Sequence, residues 1–420
     1  MKKIYITLLL ILMSISGHAQ VQPTSKLVGS WLGKLNAGIF SLTIVLNIEQ
    51  ADGYVTVSLD SPDQGARGIG AYKEFLSDDS LAIKIESLGV TYRARLKEGK
   101  LDGTFAQNGM SLPLVLERTE TGATVVKHPQ LPQPPFPYET EDVTFRNEAD
   151  GATLAGTITY PVGYNKNSKK KPAVALLVTG SGQQNRNEEL MGHSPFWVIA
   201  DYLARQGIAT LRYDDRATGE SVGGDVENAT SEDFMRDAAA GIDFLRRTKS
   251  FSKVGCLGHS EGGLIAFMLA ARKKTDFIVS LAGPGVKGDT LLTEQNNRIL
   301  KLSGMPAGMT VEALRNSNEV KQTPWLLWFI NYDPTDDIRK TRCPVFALNG
   351  DNDCQVISSQ NLPAIKSLLP KSKKNLIKEY PSLNHLFQHS TTGLPLEYGN
   401  IEETISPEVL NDIATWIKGL

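Results

Sequence analysis

Residues 254–270 read Val254-Gly255-Cys256-Leu257-Gly258-His259-Ser260-Glu261-Gly262-Gly263-Leu264-Ile265-Ala266-Phe267-Met268-Leu269-Ala270. A short apolar run, a polar and glycine-rich break, and a longer apolar run follow in that order. The spacing predicts a buried strand, a sharp turn and a helix. Ser260 sits at the apex of the turn, inside the pattern G-x-S-x-G. A serine there projects its hydroxyl from a strained backbone, and the flanking glycines leave room for neighbouring chain. The helix N-terminus beside it favours negative charge developing nearby. The plainer reading, a serine that only caps the helix, fits the strand context less well.

Working outward, Ala173-Val174-Ala175-Leu176-Leu177-Val178 is a continuous apolar run of the kind found in strands covered on both faces. Further strands are expected at 208–213, 277–281, 344–348 and 375–380, with helices at 196–205, about 231–247 (capped by Thr230 or Ser231) and about 407–417. A hairpin is signalled by Asp150-Gly151 between 143–145 and 153–158. Strands alternating with helices imply an α/β class with a mostly parallel sheet. One stretch, about 284–342, breaks the alternation. It is helical in pattern and carries Trp325, Leu326, Leu327, Trp328 and Phe329. It reads either as a cap over the site or as ordinary packing helices.

A serine hydroxyl at neutral pH needs a base and an orienting acid. Beyond the first 20 residues the histidines are His128, His193, His259, His385 and His389. His128 lies in a proline-dense stretch. His259 adjoins Ser260, so its ring is expected to point elsewhere. His193 is expected to order the glycine-rich loop or to touch substrate. His385 follows the strand ending at Tyr380 and is preferred to His389 because it is nearer the strand end. The acid is expected after the strand 344–348, where Asp351 and Asp353 both stand. Asp353 is preferred, with Asp351 left to satisfy turn amides. The order Ser260, Asp353, His385 is that of the α/β hydrolases rather than of other triads. Two backbone N–H groups would hold an oxyanion. One is that of Glu261, just after the nucleophile. The other comes from Thr179-Gly180-Ser181-Gly182, with Ser181 nominated and Gly182 its alternative. No Lys-Ser/Thr ending makes this loop a phosphate cradle.

The region 141–420 resembles the α/β-hydrolase superfamily, and within it bacterial carboxylesterases with an extra N-terminal domain. The resemblance rests on Gly180-Ser181-Gly182 with Asn185-Arg186-Asn187, on Leu211-Arg212-Tyr213-Asp214-Asp215-Arg216 with Gly219-Glu220-Ser221, on the Ser260 turn, and on Asp353, Val356 and His385. It implies ester hydrolysis by a Ser-His-Asp triad through an acyl-enzyme, with no metal or organic cofactor and a small-molecule ester as substrate. Gln183, Asn185, Asn187 and Ala217 depart from the family's usual residues, which bears on loop shape and substrate preference. Arg212, Asp214, Asp215 and Arg216 are expected to form a structural ion-pair network beside the site. The competing functions are an exported serine peptidase or thioesterase, and a non-enzymatic protein that binds glycan or lipid.

The remaining sequence frames this domain. At 420 residues the chain exceeds one ordinary domain. Lys2 and Lys3, the apolar run 4–13 and Gly17-His18-Ala19 form a signal-peptide pattern, 1–19, pointing to a periplasmic or secreted protein. No stable membrane insertion is expected once it is cleaved. Residues 20–126 alternate apolar and polar positions between turns, as in an antiparallel β barrel or sandwich. The stretch 127–140, holding Pro129, Pro132, Pro134, Pro135 and Pro137, reads as an extended linker. Net charge is −2 with no basic block, which argues against a nucleic-acid partner. The three cysteines, Cys256, Cys343 and Cys354, are too few and too spread for a disulfide framework. Oligomeric state is not legible in the sequence.

Overall fold

The protein is represented by a computed structural model that describes residues 26–119, apart from 38–39, 52–53, 65 and 108, and residues 127–420. The signal-peptide reading, 1–19, lies outside the described residues. The chain forms two compact units, the smaller drawn from the sequence before residue 124 and the larger running from 124 to 420 together with the short stretches 37–43 and 61–67.

Among the described residues the smaller unit holds nine strands: β1 (Gly29–Ala37), β2 (Phe40–Ala51), β3 (Tyr54–Ser61), β4 (Ala66–Gly70), β5 (Tyr72–Leu76), β6 (Ser80–Ile85), β7 (Val90–Lys97), β8 (Lys100–Gln107) and β9 (Met110–Thr119). They form one antiparallel sheet in the order β4-β3-β2-β1-β9-β8-β7-β6-β5, curled nearly into a barrel. Period-two alternation sets its inner face: Leu81, Ile83 and Ile85 of β6 and Val90, Tyr92 and Ala94 of β7 are buried.

The larger unit is a second sheet, of eight strands: β10 (Thr140–Asn147), β11 (Ala152–Thr159), β12 (Ala173–Val178), β13 (Ala209–Tyr213), β14 (Lys253–His259), β15 (Ile278–Leu281), β16 (Val345–Gly350) and β17 (Leu376–Tyr380). Their order is β10-β11-β13-β12-β14-β15-β16-β17. The pairs β10–β11 and β11–β13 are antiparallel, and every later pair is parallel. The helices are α1 (Pro195–Arg205), α2 (Ser231–Thr248), α3 (Glu261–Ala271), α4 (Gly288–Leu302), α5 (Val311–Asn316), α6 (Asn318–Gln322), α7 (Pro324–Asn331), α8 (Thr335–Lys340), α9 (Ser358–Leu368) and α10 (Pro407–Lys418).

Alternation along the parallel strands builds two cores. Val174, Leu176 and Val178 of β12 face a cluster shared with α2, α3 and α9, while Ala175 and Leu177 face one shared with α1 and α10. Burying each Leu, Val or Phe side chain there contributes about 1.5–3 kcal/mol, so both faces of the sheet hold it flat between helices. Helix α2 begins with a full capping box, Thr230 with Asp233, as its sequence signals. Helix α9 is not legible in the sequence because Pro363 lies inside it. The proline is the sixth of the helix's eleven residues and has no N–H to give to the hydrogen-bond ladder.

The strand order also creates the crevice. From β12 the chain crosses to β13 on one side, and from β14 it crosses to β15 on the other. Adjacent strands β12 and β14 therefore send their C-terminal loops in opposite directions. A gap opens above them at the carboxyl edge of the sheet, where ligands bind in open α/β sheets.

Candidate active site

Ser260 is the single residue between β14 and α3, with φ 53° and ψ −118°. A non-glycine residue pays about 1–3 kcal/mol to sit there. The surroundings enforce it. The Ser260 amide donates to the Leu281 carbonyl at 2.8 Å, and the Ser260 carbonyl accepts from the Gly263 amide at 2.9 Å. The glycines are steric necessities. A Cβ on Gly258 would lie 1.9 Å from the Gly262 carbonyl oxygen, and one on Gly262 would lie 2.0 Å from the Val178 carbonyl oxygen. Helix α3 thus seats directly on β12 and β14, with Ser260 lifted at its N-terminus.

Asp353 stands in the loop after β16, and His385 in the loop after β17; both are buried. Asp353 Oδ2 lies 2.7 Å from His385 Nδ1. The other oxygen, Oδ1, accepts from the amides of Gln355 at 2.7 Å and Val356 at 2.9 Å. The carboxylate accepts the Nδ1 proton, leaving the Nε2 lone pair available. Ser260 and His385 line one cavity of about 220 Å³ at the carboxyl edge of the sheet. The chain has the α/β-hydrolase fold.

Of the paired alternatives, only one member of each reaches this cavity wall or its support. Asp351 is exposed and accepts from the Ser382 amide at 2.6 Å. His389 is exposed, its Nδ1 2.8 Å from Glu403. The loop after β12 brings Gly180 and Ser181 to the cavity, while Gly182 makes the turn at φ 96°. The Glu261 amide is the first of α3, and so has no intrahelical acceptor.

The cavity is roofed by the insertion between β15 and β16. Leu291, Leu292 and Gln295 come from α4, and Trp325 and Phe329 from α7. The Trp325 and Phe329 rings stack with centroids 5.1 Å apart. Gln184 and Gln355 add neutral polar groups to the lining. The Glu261 side chain, to which the sequence assigned no part, is buried beneath the roof. It accepts from Ser231 Oγ at 2.5 Å and from Trp325 Nε1 at 2.9 Å. Burial raises its pKa, against the lowering effect of those hydrogen bonds. The helical pattern of 284–342 gave no means of telling that Trp325 would reach back to α3.

Two expectations differ from the structure, and one buried residue had none attached to it. His193 neither orders the glycine-rich loop nor meets substrate. It is fully buried against Thr404 at 3.0 Å and the Tyr398 carbonyl at 2.9 Å, tying C-terminal loops together. Burial lowers its pKa to about 4. The ion-pair network runs through only two of the four residues named for it. Asp214 pairs with Arg186 at 2.6 Å, and Arg216 with Asp237 at 2.7 Å and Asp150 at 3.0 Å. Arg212 bonds Asn187 and lies over the Trp197 ring, and Asp215 accepts from Thr179 and the Gln184 amide instead of from a cation. Glu188, buried beside the site, was missed altogether; nothing in its local sequence marks it. The three cysteines are free. Among the described residues no cluster of His, Cys, Asp and Glu is placed to hold a metal ion, and no helix is long and apolar enough to cross a membrane.

Known proteins resemble this chain in sequence and structure. The family described as serine aminopeptidase, S33, matches residues 194–334, a stretch that includes Ser260 and ends before Asp353 and His385. Esterase EstD of Thermotoga maritima is 27% identical over 299 residues, covering 67% of this chain and 68% of the relative. Among solved structures, the esterase Pf2001 of Pyrococcus furiosus overlays with a TM-score of 0.46 at 18% identity, over 71% of this chain and 99% of its own. Est1E from Butyrivibrio proteoclasticus overlays with a TM-score of 0.45 at 17% identity, over 66% and 98%.

Proposed function

We propose that the protein is a carboxylic ester hydrolase in which Ser260, His385 and Asp353 act as a triad. The single observation that carries the reading is Ser260 lifted on a strained turn into the same cavity as a histidine already held by an aspartate. In this mechanism His385 Nε2 takes the Ser260 proton as Oγ attacks the ester carbonyl. The oxyanion is held by the backbone N–H groups of Ser181 and Glu261. His385 gives its proton to the departing alcohol, leaving the acyl group on Ser260. Water then repeats the sequence, releases the acid and restores the serine. Asp353 keeps the tautomer and stabilises the imidazolium.

The esterase relative supports the ester over other acyl bonds. The cavity argues for the acyl half. Leu291, Leu292, Trp325, Phe329, Val356 and Leu386 give it apolar walls, and its polar lining includes amides and carboxylates but no lysine or arginine. An uncharged acyl group of short to medium length suits about 220 Å³. The leader pattern at 1–19 supports export to the periplasm or beyond. A serine peptidase is the second reading, favoured by the family match over 194–334.

A serine-directed fluorophosphonate tests the nucleophile. Labelling at Ser260, together with a fall of about 10⁶-fold in turnover for Ser260→Ala, is the expected result. Absence of labelling on folded protein would reject catalysis in favour of a binding role. Rates on p-nitrophenyl esters against matched peptide amides separate the esterase from the peptidase.

A further inference from the structure

Beside the proposed triad lies a second buried carboxylate–histidine pair, and hydrogen-bond inventory sets its protonation. His259 Nδ1 is 2.9 Å from Glu188 Oε1, and His259 Nε2 is 2.9 Å from the backbone carbonyl oxygen of His385. A peptide carbonyl only accepts, so Nε2 carries a proton. Glu188 Oε1 already accepts the Gly180 amide at 2.9 Å. The contact between Glu188 and Nδ1 needs a proton of its own, because two lone pairs at that distance would repel. One proton therefore lies between carboxyl and imidazole in addition to the one on Nε2.

The three bonds join three loops. Gly180 belongs to the loop after β12 that reaches the cavity, His259 ends the nucleophile strand, and the His385 carbonyl belongs to the loop that carries the base. Gly180 also packs on the nucleophile, since a Cβ there would stand 3.3 Å from Ser260 Cβ. Glu188 and His259 are 4% and 7% exposed, so water does not compete for these bonds.

We propose that Glu188 and His259 are positioning residues: a buried glutamate–imidazolium latch that holds the Gly180–Ser181 loop and the His385 loop in register with Ser260. The proposal rests on the triad reading for its catalytic meaning, while the latch itself is a matter of protonation and geometry. The ion pair is locally neutral, so it adds little net field to the His385 ring 4.7 Å away. Its effect is mechanical. An imidazolium makes two charge-assisted donations at once, which a neutral ring cannot do. The groups facing His259 are Glu188, His385 and Asp353. Burial works against its charged form, and Glu188 more than offsets that, leaving the His259 pKa above the ordinary histidine value.

The decisive measurement is ring-nitrogen NMR on ¹⁵N-histidine-labelled Ser260→Ala protein, with the His259 signals assigned through the added His259→Gln change. At about pH 7.5, where an ordinary histidine is neutral, both His259 nitrogens are expected in the protonated range. A single-tautomer neutral ring there would overturn the latch. On otherwise wild-type protein, Glu188→Gln keeps the shape but removes the charge. It is expected to lower kcat by about 10–100-fold with KM changed by less than about threefold, the signature of a displaced reacting group. Unchanged kcat in a folded Glu188→Gln protein would also overturn the proposal. Failure of Ser260 to label with fluorophosphonate would sink the triad reading instead and leave the NMR result standing, so the two failures are distinguishable.

Discussion

Asp353 and His385 lie 32 residues apart in sequence, yet Oδ2 of the one stands 2.7 Å from Nδ1 of the other. The pairing results from parallel strands β16 and β17 lying side by side, so that both C-terminal loops emerge at the same edge. Asp353 has no spare lone pair directed to solvent: two amides occupy its second oxygen. Replacing it with asparagine keeps the shape but offers a donor where Nδ1–H needs an acceptor. Asp353→Asn should lower kcat by about 10⁴-fold, as expected when a triad histidine is left in the wrong tautomer. Asp351→Asn keeps a side-chain oxygen to accept from the Ser382 amide and weakens at most one turn hydrogen bond, worth about 1 kcal/mol, so it should cost less than about tenfold. Steady-state kinetics on one ester decides between them; equal losses would show that the acid has been misassigned.

On the proposed ester-hydrolase reading, the roof sets acyl preference. Trp325 both walls the cavity and donates to Glu261 at 2.9 Å. Trp325→Ala opens space above Ser260 and leaves the Glu261 carboxyl with Ser231 as its donor. Its kcat/KM for short acyl esters should fall by about 10–100-fold, while longer acyl chains lose less, because pocket fit is worth roughly 1–3 kcal/mol. An ester series of increasing chain length reads the shift. An unchanged chain-length profile would mean that the acyl group lies elsewhere.

Asp215 makes stability depend on pH. Burial raises its pKa to about 8, against the lowering effects of the Gln184 amide and Thr179. The folded protein therefore holds a proton that the unfolded chain has already lost. The stabilisation from the protonated acid is complete below the ordinary carboxylate value of 3.8 and is lost as pH rises through about 8. Asp215→Asn mimics the neutral form. Its Tm should fall less than that of the wild type between about pH 5 and about pH 9. Parallel Tm curves for the two proteins would contradict the assignment.

The Arg216–Asp237 pair is the buried ion pair on which the loop after β13 depends. The two side chains are 1% and 2% exposed and meet at 2.7 Å. Asp237→Ala leaves a buried guanidinium with only Asp150 as anionic partner at 3.0 Å. The change should destabilise the larger unit by about 3–5 kcal/mol, read from the urea midpoint. A shift under about 1 kcal/mol would show that Asp150 and the Asp233 carbonyl suffice.

Much of this architecture follows from short-range pattern. Gly258 is local in origin, since the clash it avoids is with the Gly262 carbonyl four residues on, whereas Gly262 is required by the Val178 carbonyl of β12. The apolar run 173–178 marks a strand covered on both faces by a local signal too: alternation is a property of the strand itself. Helix α9 escaped because Pro363 is a helix breaker by local rule, while the helix runs through it with Leu362 and Ile365 packed into the core.

What the sequence by itself determined is the α/β class, the position of Ser260 at a strand–helix turn, and the loops in which an acid and a base should be sought. Tertiary structure decided which member of each loop is used. Asp351 and Asp353 differ by two residues, His385 and His389 by four, and spacing along a loop does not say which way a side chain points. It also decided that Glu188 reaches His259 across 71 residues, and that Trp325 reaches back to Glu261. These contacts join elements that only strand order and helix packing bring together. No local sterics encode them; they exist because the sheet places the ends of β12, β14, β16 and β17 at one edge.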